Sequence, residues 1–81
     1  MKKSLTTKEY EVFIELLWQA RIDADVTQVE LAKRLKWKQG FVSKCENMDR
    51  RLDIIEARTW LKVLGVSFAD FAKKLEKKLG R

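Results

Sequence analysis

Four candidate helix starts along this chain share one form, a short polar residue followed three positions later by an acidic one. A side-chain oxygen at the first position can accept a hydrogen bond from a backbone N–H that a helix leaves unpaired, and the acid favours the positive end of the helix. The pairs therefore predict four helix N-termini, namely Thr6 with Glu9, Thr27 with Glu30, Asp53 with Glu56, and Ser67 with Asp70. The two pairs headed by threonine are closest to the standard capping box.

Apolar residues recur at helical spacing between these starts, whereas strict alternation of apolar and polar residues, the mark of a strand, never persists. Only three glycines and no proline interrupt the pattern. The sequence therefore predicts an all-α fold in a single domain over residues 1–81, because this length leaves no room for a second core. The five predicted helices span about 7–23, 28–35, 39–46, 54–64 and 68–79, the last of them occupying about 67–79 with its cap.

The charge balance indicates a polyanionic partner. Lysine and arginine number 18 against 12 acidic residues, and the net charge of +6 suits nucleic acid or an anionic membrane surface. No apolar run approaches the ~18 residues of a membrane span, so we expect a cytoplasmic protein with no membrane partner. Histidine is absent and Cys45 is the single cysteine, which excludes imidazole catalysis and an internal disulfide. We expect no enzyme activity, cofactor, metal or small-molecule ligand.

The segment 27–53 is the most informative part of the chain, and a helix-turn-helix is predicted at about 27–47 within it. Two short helices joined by a turn of about three residues form a helix-turn-helix. In the second helix, Val42 and Cys45 are predicted to face inward, and no acid occurs on the outward surface before Glu46. The outward residues are small or polar: Gln39, Gly40, Ser43 and Lys44. Glutamine and lysine can hydrogen-bond base edges in the major groove, so this surface favours DNA recognition.

These motifs resemble the Cro/CI-type (XRE-like) helix-turn-helix family of bacterial and phage regulators. The resemblance covers roughly residues 10–71 and rests on five segments, which are 20–21, 27–32, 41–46, 49–53 and 64–67. It implies a five-helix, lambda-repressor-like domain that binds double-stranded DNA. Its recognition helix, 39–46, would enter the major groove, and the N-terminus of the helix 28–35 would lie on the DNA backbone.

The resemblance also implies residue roles. Base contacts are implied for Gln39, Gly40, Ser43 and Lys44. Contacts with the DNA backbone are implied for Thr27, Gln28, Lys38, Phe41, Asn47 and Arg50. A structural ion pair between Arg21 and Glu46 would tie the first helix to the third. Ordinary solvated side chains are the alternative interpretation of Gln39, Lys44 and Arg50, and packing on the helix 28–35 is the alternative for Phe41.

Three residues depart from the family pattern. Asp25, Lys36 and Met48 stand where the family usually has glycine. Glycine adopts a positive φ without strain and aspartate tolerates it, whereas lysine and especially methionine cost about 1 kcal/mol or more there. We therefore expect reshaped turns, above all around Met48. Lys38 also replaces the usual serine or threonine N-cap of the recognition helix.

The predicted function is sequence-specific transcriptional regulation, with repression as the expected sign. Because one recognition helix reads few base pairs, we expect a homodimer on a palindromic operator. The predicted dimer surface is the last helix, with Phe71, Leu75 and Leu79 along one edge. Val12, Leu16 and Trp60 are further candidates, and the alternative is that the last helix buries this edge on its own domain.

Two other functions stay open at this point. The missing glycines favour a protein-interaction module, of antitoxin or adaptor type, that uses the same fold with weak or no specific DNA binding. The basic charge is also compatible with a binder of nucleic acid that has no sequence preference.

Overall fold

The computed structural model describes residues 7–80 as a bundle of five helices around one apolar core. The helices are α1 (Lys8–Asp23), α2 (Gln28–Leu35), α3 (Gln39–Glu46), α4 (Ile54–Val63) and α5 (Phe68–Lys78). No strand occurs within this range, so the prediction of an all-α, five-helix fold is confirmed. None of these helices is both long and apolar enough to cross a membrane.

The helix starts follow the capping pattern, with one difference at α1. Thr7, not Thr6, is the N-cap of α1, and its hydroxyl accepts from the backbone N–H of Tyr10 at 3.1 Å. The predicted role of Thr6 lies outside the described residues. Thr27 and Ser67 cap α2 and α5 in the predicted way.

The start of α4 closes the only reciprocal capping box that residues 7–80 show. Asp53 accepts from the backbone N–H of Glu56 at 2.8 Å, and the Glu56 carboxylate accepts from the backbone N–H of Asp53 at 3.0 Å. The prediction that the threonine pairs come closest to a capping box was therefore wrong. An aspartate oxygen serves the same purpose, and among residues 7–80 only Glu56 turns back to its N-cap.

The core joins all five helices, and Trp60 of α4 lies at its centre, fully buried. The indole N–H of Trp60 donates to the backbone carbonyl of Leu17 in α1 at 3.3 Å. Cys45 is also fully buried, and this burial raises the pKa of its thiol to about 11. The thiol therefore stays protonated at neutral pH and packs as a small apolar side chain.

The predicted dimer surface on the last helix is largely used within the domain. Phe71 is buried, with its ring edge-on to Phe13 of α1 at 6.0 Å between centroids. Leu75 is half-buried against the same core, and Leu79 is also half-buried. Leu16 and Trp60 are buried as well, which removes them and Phe71 from any free surface. The sequence could not decide this because an apolar helix edge fits a core and an interface equally well.

Candidate nucleic-acid interface

The helix-turn-helix is formed by α2, the turn 36–38 and α3. Lys36 ends α2 in the left-handed conformation, with φ 63° and ψ 35°. The backbone N–H of Trp37 then donates to the carbonyl of Ala32 at 3.0 Å. This arrangement closes the end of α2 and directs the chain into α3 within three residues.

Each of the three residues at the family's glycine positions keeps a positive φ. The values are 60° at Asp25, 63° at Lys36 and 64° at Met48. The expectation of reshaped turns was therefore wrong at these residues. The chain retains the left-handed conformations with ordinary side chains, at a cost of about 1 kcal/mol at Lys36 and at Met48, whereas aspartate tolerates this region.

The outward face of α3 is polar, and its inward face is packed against the core. Val42 and Cys45 are fully buried, which fixes the side of the helix that faces out. Gln39, Gly40 and Lys44 are exposed and Ser43 is half-exposed, so the structure brings the four predicted base-contacting residues together on one surface. We call these four residues the reading edge.

Gly40 has no structural reason to be glycine. A Cβ at this position would meet nothing within 4 Å, and its φ is not in the left-handed region. Glycine inside a helix costs about 0.5–1 kcal/mol relative to alanine. Because Gly40 has no side chain, the surface of a ligand can approach the backbone of α3 closely between Gln39 and Lys44.

A buried cluster fixes the C-terminal end of α3. Arg21 of α1 reaches both carboxylate oxygens of Glu46, with Nε–Oε2 at 2.7 Å and Nη2–Oε1 at 2.9 Å. A third guanidinium nitrogen donates to the carbonyl of Val26 at 2.8 Å. The structure thus brings together the predicted ion pair, and both side chains are more than nine-tenths buried.

Gln28 at the start of α2 joins the same cluster. Its Nε2 donates to Glu46 Oε1 at 2.8 Å, a contact that sequence reasoning missed. An amide nitrogen carries two N–H groups, so one donor remains after this bond. Glu46 therefore orients the Gln28 side chain at the N-terminus of α2, where helix N–H groups favour an anion.

A second, exposed cluster lies at the other end of α3. The guanidinium of Arg50 lies over the ring of Phe41 at 4.4 Å and is 3.5 Å from the Glu56 carboxylate of α4. It also donates to the carbonyl of Arg51. Phe41 in turn packs edge-on against Trp37 at 4.7 Å. Phe41 therefore packs between the turn residue Trp37 and Arg50, and its contact with the DNA backbone stays a prediction.

The remaining predicted backbone contacts surround the reading edge. Thr27 and Asn47 are exposed at the start of α2 and the end of α3. Lys38 is the N-cap of α3 and makes no capping hydrogen bond with its side chain, which is exposed. The first turn of α3 carries no acid. The start of α3 is therefore basic, with Lys36 and Lys38 exposed, and Lys44 is exposed in its last turn.

Comparison with known proteins agrees with this geometry. A family model described as helix-turn-helix matches residues 19–71. A solved structure, an XRE-family like protein from Pseudomonas syringae pv. tomato str. DC3000, is 43% identical and superimposes with a TM-score of 0.82. The chain belongs to the XRE-type helix-turn-helix family.

The similarity of this XRE-type domain to the Pseudomonas syringae protein covers 86% of this chain and 85% of that one. No curated protein matches the sequence significantly. Membership of the family implies binding to double-stranded DNA, and such folds are typical of regulators without catalytic activity.

Proposed function

We propose that this protein is a sequence-specific transcriptional regulator that represses by occupying a palindromic operator as a homodimer. The reading edge is the observation that carries the proposal. Gln39 and Lys44 project from a helix whose inner side is fully buried, and Gly40 lies between them without a structural need for glycine. Glutamine pairs with adenine and lysine with guanine in the major groove.

In the proposed complex, α3 enters the major groove and the N-terminus of α2 lies against a phosphate. Gln28, oriented by Glu46, and the exposed backbone N–H groups of α2 would hold that phosphate. Lys38, Asn47 and Arg50 would hold the backbone on the remaining sides. Phosphate contacts position a protein on DNA, whereas the base edges supply its sequence preference.

Regulation would then need no cofactor or catalytic step. A bound dimer covers its site, and its effect depends on the concentration of the protein in the cytoplasm. The alternative function, a protein-interaction module, was supported mainly by the absence of the family's glycines. Asp25, Lys36 and Met48 nevertheless adopt a positive φ, so the left-handed turns are retained and this support is lost.

The test is selection of bound duplexes from random DNA, followed by binding with the Lys44→Ala variant. We expect this variant to lose about 1–3 kcal/mol of binding free energy on the selected duplex and to relax the preference at one position per half-site. Lys77→Ala is the matched control, since Lys77 is an exposed lysine of α5 and its removal changes the net charge equally. An equal loss on selected and random duplexes would make Lys44 a phosphate contact only.

A further inference from the structure

The outer face of α4 carries two exposed isoleucines. The helix buries Ala57, Trp60 and Leu61, whereas Ile54 and Ile55 in its first turn are left exposed. They are 63% and 65% exposed, more than any other large apolar side chain among residues 7–80. Two adjacent isoleucines at a helix start add nothing to capping, and here they add little to the core. The two side chains therefore form an apolar patch at the start of α4 that the rest of the domain leaves uncovered.

This isoleucine surface borders the recognition helix. Arg50 links the two elements, because it lies over Phe41 of α3 and beside Glu56 in the first turn of α4. Glu56 also lines a shallow depression together with Lys38, the N-cap of α3. The two isoleucines therefore lie within one helical turn of side chains that contact α3. A partner bound there would sit beside the DNA-reading surface without covering it.

We propose that the isoleucine surface is where a second copy of this chain docks when two copies occupy adjacent half-sites. The inference rests on the proposed function and names the surface of the dimer. A two-fold interface must be self-complementary, with the same patch on both subunits. If the two subunits meet at a patch beside α3, the two-fold axis of the dimer passes between their recognition helices. Both helices can then face the same side of the DNA.

The charges on α4 fit a pairing of this face with itself. Arg58 is exposed on the same side as Ile54, one turn further along the helix, and Asp53 directly precedes Ile54. When two α4 helices pack antiparallel across a dyad, Arg58 approaches Asp53 of the partner subunit. Isoleucine meets isoleucine at the centre, and opposite charges meet at the rim, as in protein interfaces generally.

The other exposed apolar residues fit a second copy less well. Trp18 of α1 lines a groove with Glu11 and Glu15, so that two copies joined there would bring acidic side chains together. Ile22 lies one helical turn from Trp18 on α1 and belongs to the same exposed surface, and Val29 of α2, 47% exposed, directly follows Gln28, the proposed phosphate contact. The edge of α5 is largely taken by the core.

Two isoleucines per subunit make a small interface. Stable pairs bury about 1,200–2,000 Å² in total, and smaller contacts are weak or transient. The dimer should therefore be sparse in free solution and form on DNA, where the neighbouring half-site holds the second copy at high effective concentration. Two copies would then bind a palindrome cooperatively.

Cysteine cross-linking tests the surface directly. Ile54→Cys and Ile55→Cys place a thiol beside the proposed dyad, where each would meet its own copy. Ile22→Cys is the matched control, an exposed isoleucine on α1, and the native Cys45 is fully buried and out of reach. A short thiol-to-thiol cross-linker is added with and without a duplex selected from random DNA. We expect a covalent dimer from at least one of the α4 variants, increased by the duplex, and none from Ile22→Cys.

Each other outcome decides between the two proposals. Equal cross-linking from Ile22→Cys and the α4 variants would reflect random collisions and overturn the inference. Binding of two copies to the selected duplex without a cross-link from either α4 variant would also overturn it, while leaving DNA recognition in place. A covalent dimer from the α4 variants in a protein that selects no duplex would support the surface and overturn the proposed function. Circular dichroism confirms that each variant is folded.

Discussion

Two arginines hold the recognition helix at its two ends, and they do so in different environments. Arg21 grips both oxygens of Glu46 at 2.7 and 2.9 Å, and the two side chains are only 9% and 5% exposed. Arg50 lies over Phe41 at 4.4 Å and is 3.5 Å from Glu56, with 45% of its side chain exposed. The first pair is buried and bidentate, whereas the second is open to solvent.

The difference teaches which contact sets the position of α3. A buried ion pair that loses one partner leaves an uncompensated charge, so its geometry is hard to change. An exposed pair contributes little and can exchange its partner at small cost. Arg21 therefore fixes the angle of α3 on the domain, whereas the phosphate contact proposed for Arg50 would replace only a weak, exposed ion pair.

The largest expected effect is the loss of the buried pair. Arg21→Ala and Glu46→Ala should each lower the free energy of unfolding by about 3 kcal/mol, because the remaining charge stays buried without a partner. Chemical denaturation of both single variants and the double variant measures the coupling. The exposed pair Glu30–Arg34, at 3.7 Å, is the control and should contribute about 0–1 kcal/mol. Additive losses from the two single variants would show that Arg21 and Glu46 are not coupled.

The turn between α2 and α3 supports the same helix at a cost in strain. Lys36→Gly should raise the free energy of unfolding by about 1 kcal/mol, since glycine adopts φ 63° without strain and the lysine side chain is exposed. Thermal and denaturant unfolding measure the change. Lys33→Gly, inside α2, is the matched control and should lower stability by about 1 kcal/mol. A loss of stability in both variants would show that Lys36 carries no relievable strain.

A substitution at Gly40 should affect the stability of the domain and its affinity for DNA in opposite directions. Gly40→Ala should raise the free energy of unfolding by about 0.5–1 kcal/mol, because alanine favours the helix and a Cβ meets nothing within 4 Å. The same methyl group should weaken binding to the selected duplex by obstructing close approach. Unfolding and binding are measured on the same variant. Unchanged affinity would remove Gly40 from the reading edge.

The smallest expected effect on stability is at Arg50. Arg50→Ala should change the free energy of unfolding by no more than about 1 kcal/mol, since its ion pair is largely exposed. It should weaken binding to all duplexes alike and reduce the salt slope by ~1 for each phosphate that the arginine no longer neutralises. Titrations at several salt concentrations give the slope, with Lys77→Ala as the control. The same slope as the wild type would place Arg50 outside the interface.

Local features of the sequence determined the helices and the reading edge. The capping oxygens of Thr27, Asp53 and Ser67 act within three residues, so the pattern alone places the starts of α2, α4 and α5. The period of the apolar residues separates Val42 and Cys45 from the outer side of α3 in the same way. These interactions are short in sequence, and each is visible in the order of the residues.

Only the tertiary structure decided how the helices are joined and which apolar edges stay free. The hydrogen bond from Gln28 to Glu46 joins residues that are 18 positions apart, and no local sequence pattern predicts it. Phe71 and Ile55 are both apolar residues near helix starts, yet the packing of α5 against α1 buries Phe71 while the outer face of α4 leaves Ile55 exposed. Apolar spacing tells which side of a helix avoids water, but the element that covers that side depends on the packing of distant parts of the chain.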